Sequence, residues 1–202
     1  MANRSRTVTG CLALAAAMAG GVAVLACRSG GGSDAEPAGR SVAPGLSNLG
    51  RVDDGLWRSG QPTAEGFAAA RAMGIRTVVN LRSAHSDRDL AAGTGLELVE
   101  IPTHQWDVDE GDLAAFLKIA TDPARRPVLV HCAEGRDRTG VAVAAYRRVV
   151  DGWTAHRALE EMRAYGAAPW WVNLSFRVER IDPDALRARV ARTPPPAVVL
   201  AR

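Results

Sequence analysis

An α/β fold with a largely parallel central sheet flanked by helices follows from three observations. Short runs rich in Val, Leu and Ile recur between turn signals at 77–81 (TVVNL), 96–101 (LELVEI) and 127–132 (PVLVHC), and read as buried strands. Helical stretches separate them, the alternation that places helices over a parallel sheet. With 202 residues, 47% of them hydrophobic, the chain can bury the core of one domain.

The chain begins with Arg4 and Arg6, then an apolar run from Cys11 to Ala26, with no acidic residue before Asp34. Residues 1–26 read as an export signal. The run spans about 24 Å as a helix, short of a hydrocarbon core of about 30 Å. It ends in Val24-Leu25-Ala26-Cys27, which resembles a bacterial lipobox and makes Cys27 the expected lipidation site. Simple cleavage and a retained anchor are the alternatives. Residues 27–48 are dense in Gly, Ser, Ala and Pro and read as a flexible tether, reaching about 25 Å. The expected location is outside the membrane, on the periplasmic or cell-surface side, with the membrane reached through an N-terminal lipid.

The expected domain covers 49–192. Its first helix runs from the N-cap Thr63 to Met73, with Gly74 as its stop. A second runs from Asp109 or Gly111 to Ala120, followed after the third strand by helices over 138–150, 154–165 and 170–180. Trp170 and Trp171 read as core packing. Residues 193–202, with three prolines at 194–196, read as a disordered tail.

Composition excludes several classes. Three cysteines cannot staple a disulfide scaffold, and none forms a Cys-x-x-Cys pair. No metal or cofactor site is expected. The formal charge is +3, and loss of Arg4 and Arg6 with the leader takes it to +1, so no nucleic-acid partner is expected.

The segment 131–140, HCAEGRDRTG, carries the chemistry. Five residues between Cys132 and Arg138 let the chain curl so that N–H groups of Ala133, Glu134, Gly135, Arg136, Asp137 and Arg138 face one anion. Gly135 permits the positive φ of such a nest. Arg138 closes the ring with a bidentate fork on phosphate oxygens, and the same field favours the thiolate of Cys132. Thr139 can donate its hydroxyl to the sulfur, and His131 shapes the loop. Asp137 is either an ion-pair partner of a neighbouring arginine or a mark of substrate class.

This string resembles the signature of the cysteine-based protein tyrosine and dual-specificity phosphatases. The upstream segments WRSGQPT (57–63) and GIRTVVNLR (74–82) are similar to a compact microbial dual-specificity-like branch. The resemblance spans roughly 49–180. It implies a dual-specificity phosphatase-like fold and two-step hydrolysis without metal: Cys132 attacks phosphorus, an aspartic acid protonates the leaving oxygen, and water releases the phosphate. The loop PTHQWDVDEGD (102–112) supplies the acid. Trp106-Asp107 fits the family's arrangement best, although the Pro commonly found between them is missing. Asp109 reads better as a helix cap, with Asp112 in the first turn.

The expected substrate is a phosphorylated protein, with phosphoinositides or small phosphate esters as the alternative. Arg82 either reaches the site or caps the sheet edge, and His104 reads as a loop residue. His85 and His156 read as surface residues. A rhodanese-like sulfurtransferase lacks the Arg-Thr-Gly continuation. An inactive phosphate-binding module would lack the acid or the nucleophile.

Overall fold

In the computed structural model, residues 43–170 and 172–202 are described. The expected leader 1–26, the lipidation site Cys27, the tether up to Ser41-Val42 and Trp171 lie outside the described residues.

Six strands form one mixed sheet: β1 (Gly50–Arg51), β2 (Leu56–Ser59), β3 (Thr77–Arg82), β4 (Glu97–Thr103), β5 (Val128–His131) and β6 (Val199–Leu200), in the order β1-β2-β5-β3-β4-β6. The four central strands run parallel, as expected, and the short edge strands β1 and β6 are antiparallel. β5 lies between β2 and β3, with Ser59 and Asn80 both in register with His131. Cys132 therefore emerges where three parallel strands end, the place where such sheets bind ligands.

Alternation along the strands builds two cores. Val78, Leu98 and Leu129 join Phe67, Ala70 and Ile75 on the face covered by α1 (Ala64–Ala72). Val79, Val99, Val128 and Val130 face a layer made of α2 (Glu110–Ala120), α3 (Asp137–Val149), α4 (Ala155–Ala164), α5 (Val172–Arg180) and α6 (Pro183–Arg192). α3 is the hub of that layer and packs against α2, α4, α5 and α6. Its small residues Gly140, Ala142, Ala144 and Ala145 admit those neighbours closely, and Arg147 ties it to α4 through a 2.7 Å ion pair with buried Glu161.

Three expectations change. The tether does not extend to Asn48, because Leu46 is buried in the α1-side core and Ala43 bridges to Leu46. Residues 193–202 are not a disordered tail: β6 pairs with β4, and Ala201 is buried and exchanges backbone hydrogen bonds with Gly95 and Leu96. The open edge of β4 offers unpaired backbone groups, which the tail satisfies. Trp170 is not core packing, being 72% exposed in the turn before α5.

Candidate active site

Strand β5 delivers Cys132 at 3% exposure, and the chain then curls through 133–136 before α3 begins. Three carbonyls of this loop are held from outside. Gln61 N–H donates to Ala133 O at 3.0 Å, and Asn48 Nδ2 donates to Glu134 O and Gly135 O, each at 3.2 Å. Arg58 Nη2 donates to Gly135 O at 2.9 Å. With the carbonyls turned outward, the N–H groups are left to the inside. Among the described residues none from Ala133 to Arg138 donates to another backbone group, the first α3 bond running from Gly140 N to Arg136 O. Such a row of unpaired donors at a helix N-terminus binds an anion.

Gly135 is required in this loop. Its φ is +72°, and a Cβ there would lie 2.5 Å from the backbone of Ser59 and Gly60. Arg138 is braced by Nη1, which donates to Leu81 O at 3.1 Å and Thr103 O at 3.4 Å at the ends of β3 and β4. Bracing one nitrogen restrains the plane of the guanidinium. Thr139 Oγ1 is buried and has no hydrogen-bond partner among the described residues.

The rim is close to neutral. Arg136 pairs with Glu134 at 2.6 Å, and Asp137 pairs with neither arginine beside it. Its Oδ1 instead accepts from Ala168 N at 3.1 Å, tying the start of α3 to the turn before α5.

The three loop carboxylates have different surroundings. Asp109 is the N-cap of α2, accepting from Asp112 N at 2.8 Å. Burial, with the nearby Asp109 charge, pushes the Asp112 carboxyl above its ordinary range. Asp107 is 68% exposed and pairs with Arg177 of α5 at 2.9 Å. Among the described residues no three His, Cys, Asp or Glu side chains cluster to hold a metal ion.

Comparison with known proteins bears on this geometry. A family model described as a dual-specificity-type phosphatase fused to NAD+ kinase matches residues 47–171. The dual specificity protein phosphatase TpbA of Pseudomonas aeruginosa is 34% identical over 155 residues, covering 75% of this chain and 70% of that protein. The chain belongs to the dual-specificity phosphatase-like family. The crystal structure of a cysteine-to-serine variant of TpbA in complex with phosphotyrosine superposes on this phosphatase with a TM-score of 0.68, at 31% identity, covering 79% of this chain and 99% of that one. An inositol diphosphatase of Arabidopsis thaliana is 28% identical over 153 residues, covering 70% of this chain and 73% of that protein. The Saccharomyces cerevisiae phosphatase core SIW14 shares the fold, with a TM-score of 0.64 at 22% identity over 75% of this chain and 95% of that one.

Besides Asn48 and Gln61, which hold loop carbonyls, two residues of the phosphatase site escaped the sequence reading. Arg58 is fully buried beneath the loop, with its guanidinium 3.8 Å from the Tyr165 ring centroid. Burial lowers its pKa to about 10, partly offset by attraction to Glu161, Tyr165 and Cys132. The signal was a charged residue directly after the apolar pair Leu56-Trp57 in β2. Asp87 is the other: its Oδ2 lies 2.8 Å from Nε2 of His131, and both side chains are buried. Arg82 neither reaches the loop as a ligand nor caps the edge alone. Its Nη1 donates to Gln61 Oε1 at 2.8 Å, and Gln61 Nε2 donates to Asp87 Oδ1 at 2.8 Å.

Proposed function

We propose that this phosphatase hydrolyses phosphotyrosine in protein substrates through a cysteinyl-phosphate formed on Cys132. One observation carries the reading: the carbonyls of Ala133, Glu134 and Gly135 are turned outward by Gln61, Asn48 and Arg58, leaving an inward row of N–H donors between Cys132 and Arg138. The complex of the TpbA variant with phosphotyrosine supports the substrate class.

The phosphate dianion sits in the cradle, with Arg138 forking onto its oxygens, and the Cys132 sulfur attacks phosphorus opposite the leaving oxygen. An S–P bond forms as the P–O bond breaks. Asp107 leaves Arg177, takes up a proton from solvent, gives it to the leaving phenolate oxygen, and as a carboxylate then takes a proton from the attacking water. That water forms a new P–O bond, the S–P bond breaks, and the Thr139 hydroxyl stabilises the departing thiolate. Preorganised donors aimed at the developing charge supply most of such rate enhancement.

The rim supports a monoester over a highly charged inositol phosphate, because Glu134 neutralises Arg136 and Asp137 is engaged with Ala168 N–H. Export and lipidation at Cys27 belong to the same proposal, supported by the apolar run to Ala26 and the small residue before Cys27. The enzyme then works at the outer face of a membrane. Cys27→Ser should move the expressed protein from the membrane to the soluble fraction, and retention at the membrane would contradict the lipid anchor.

A panel of phosphotyrosyl, phosphoseryl and phosphoinositide substrates at matched concentration tests the activity. Hydrolysis of phosphotyrosyl peptides by the native protein and not by Cys132→Ser is expected. Equal release from both proteins, or dominant turnover of phosphoinositides, would overturn it.

A further inference from the structure

A groove of about 360 Å³ lies between the loop that carries Asp107 and helix α5, lined by Trp106, Asp107, Asn173, Phe176, Arg177 and Arg180. Its two aromatic walls, Trp106 and Phe176, are 54% and 52% exposed. Asn173 Nδ2 donates to the Trp106 carbonyl and Arg177 pairs with Asp107, so the loop is docked on α5 at the acid itself. Arg180 lies one turn further along α5 and, among the described residues, forms no ion pair. Two guanidiniums thus face a single carboxylate, and the groove carries excess positive charge.

That composition selects a ligand class. Apolar rings beside guanidinium forks suit a short stem ending in a carboxylate, since the stem packs on the rings while the fork pairs with both oxygens. The Asp107–Arg177 pair is exposed, and exposed ion pairs are weak enough to exchange.

We propose that this groove receives a Glu or Asp side chain flanking the phosphotyrosine of a peptide substrate, and that this carboxylate displaces Asp107 from Arg177. The proposal rests on Asp107 acting as the general acid. While paired with Arg177, Asp107 is held off the leaving oxygen. A substrate carboxylate that takes Arg177 and Arg180 frees the acid to swing over the phosphate loop. Substrate recognition and assembly of the catalytic constellation are then one event, and the acidic flank raises turnover as well as affinity.

The test uses the full chain and phosphotyrosyl peptides that differ only in Glu, Gln or Lys beside the phosphotyrosine. The Glu peptide is expected to exceed the Gln peptide by about tenfold in kcat/KM, with part of the gain in kcat. Arg180→Gln should remove mainly the KM part and Arg177→Gln the kcat part. Equal kcat/KM for Glu and Gln peptides would overturn the proposal, as would a Glu preference that survives both arginine substitutions. A preference for a phosphoinositide lost in the same variants would overturn the peptide occupant. Asp107→Asn separates the premise from the groove. If it turns over like the native protein, the acid assignment and the kcat coupling fail together. A Glu preference in KM that Arg180→Gln abolishes would still uphold the carboxylate site.

Discussion

Asp87 Oδ2 and His131 Nε2 lie 2.8 Å apart in a pair buried on both sides, directly before the nucleophile in the chain. Asp87 Oδ1 accepts from Gln61, whose backbone N–H holds the Ala133 carbonyl and whose side-chain oxygen accepts from Arg82. One carboxylate therefore links the end of β3, the segment after β2 and the residue that delivers Cys132.

Removing that carboxylate should be costly. Asp87→Ala leaves donors on His131 and Gln61 unpaired in the interior, a loss of about 3 kcal/mol in urea unfolding, whereas Asp87→Asn keeps part of the pairing. Burial pushes the Asp87 carboxyl up, but the bonds from His131 and Gln61 outweigh it and hold it below its ordinary 3.8. Its contribution is therefore present above the unfolded value and is lost as pH falls through the folded one. Asp87→Asn should flatten the loss of stability below about pH 4, and an unchanged acid limb contradicts this account.

Arg58 should trade stability against function. Its Nε and Nη1 have no hydrogen-bond partner among the described residues, so its burial is only partly compensated. Arg58→Met should change stability by less than about 1 kcal/mol, since replacing buried charge by an apolar residue is often neutral. The same substitution frees the Gly135 carbonyl and removes a positive charge beneath the loop. Competitive inhibition by inorganic phosphate should weaken by about tenfold or more. Undiminished inhibition would make Arg58 a packing residue only.

Gly135→Ala should damage catalysis directly. A Cβ 2.5 Å from the Ser59–Gly60 backbone, on a residue at φ +72°, must shift the loop. Misplacement by about 1 Å at a preorganised site costs about 10²-fold in kcat. Turnover of para-nitrophenyl phosphate measures it, and native kcat in this variant would contradict the loop geometry.

Far from the site, Tyr146 donates to Asp53 Oδ2 at 2.6 Å, and Arg126 pairs with Asp53 Oδ1 at 2.6 Å. Burial and the Asp53 bond push the Tyr146 hydroxyl from 10.0 up to about 12. A raised phenol contributes stability that is complete below its unfolded value and is lost as pH rises from there to the folded one. The native protein should lose stability between pH 10.0 and about 12, and Tyr146→Phe should remove that part of the slope. Equal alkaline slopes in urea unfolding contradict it.

Much of this was legible in the residues. The parallel strands read from their Val and Leu runs, Thr63 and Asp109 were found as caps, and the Cys132–Arg138 spacing announced the cradle. β2 was hidden because Arg58 interrupts its apolar pattern, and its charge makes sense only once the loop lies above it. β6 is two residues long and exists because β4 has an open edge, a property of the assembled sheet. Asp87 pairs with a residue 44 positions away, and no local pattern encodes such a contact. Asn48, assigned by composition to the tether, became part of the site through a single side-chain amide at positive φ.

The central claim is that Cys132 carries the phosphate during turnover. Rapid mixing of the full chain with a phosphotyrosyl peptide, acid quench and peptide mass analysis tests it most directly. The account predicts a transient phosphate adduct on the peptide containing Cys132, longer lived in Asp107→Asn and absent in Cys132→Ser. Turnover of the peptide with no adduct on Cys132 at any quench time, or with the adduct on another residue, would contradict it.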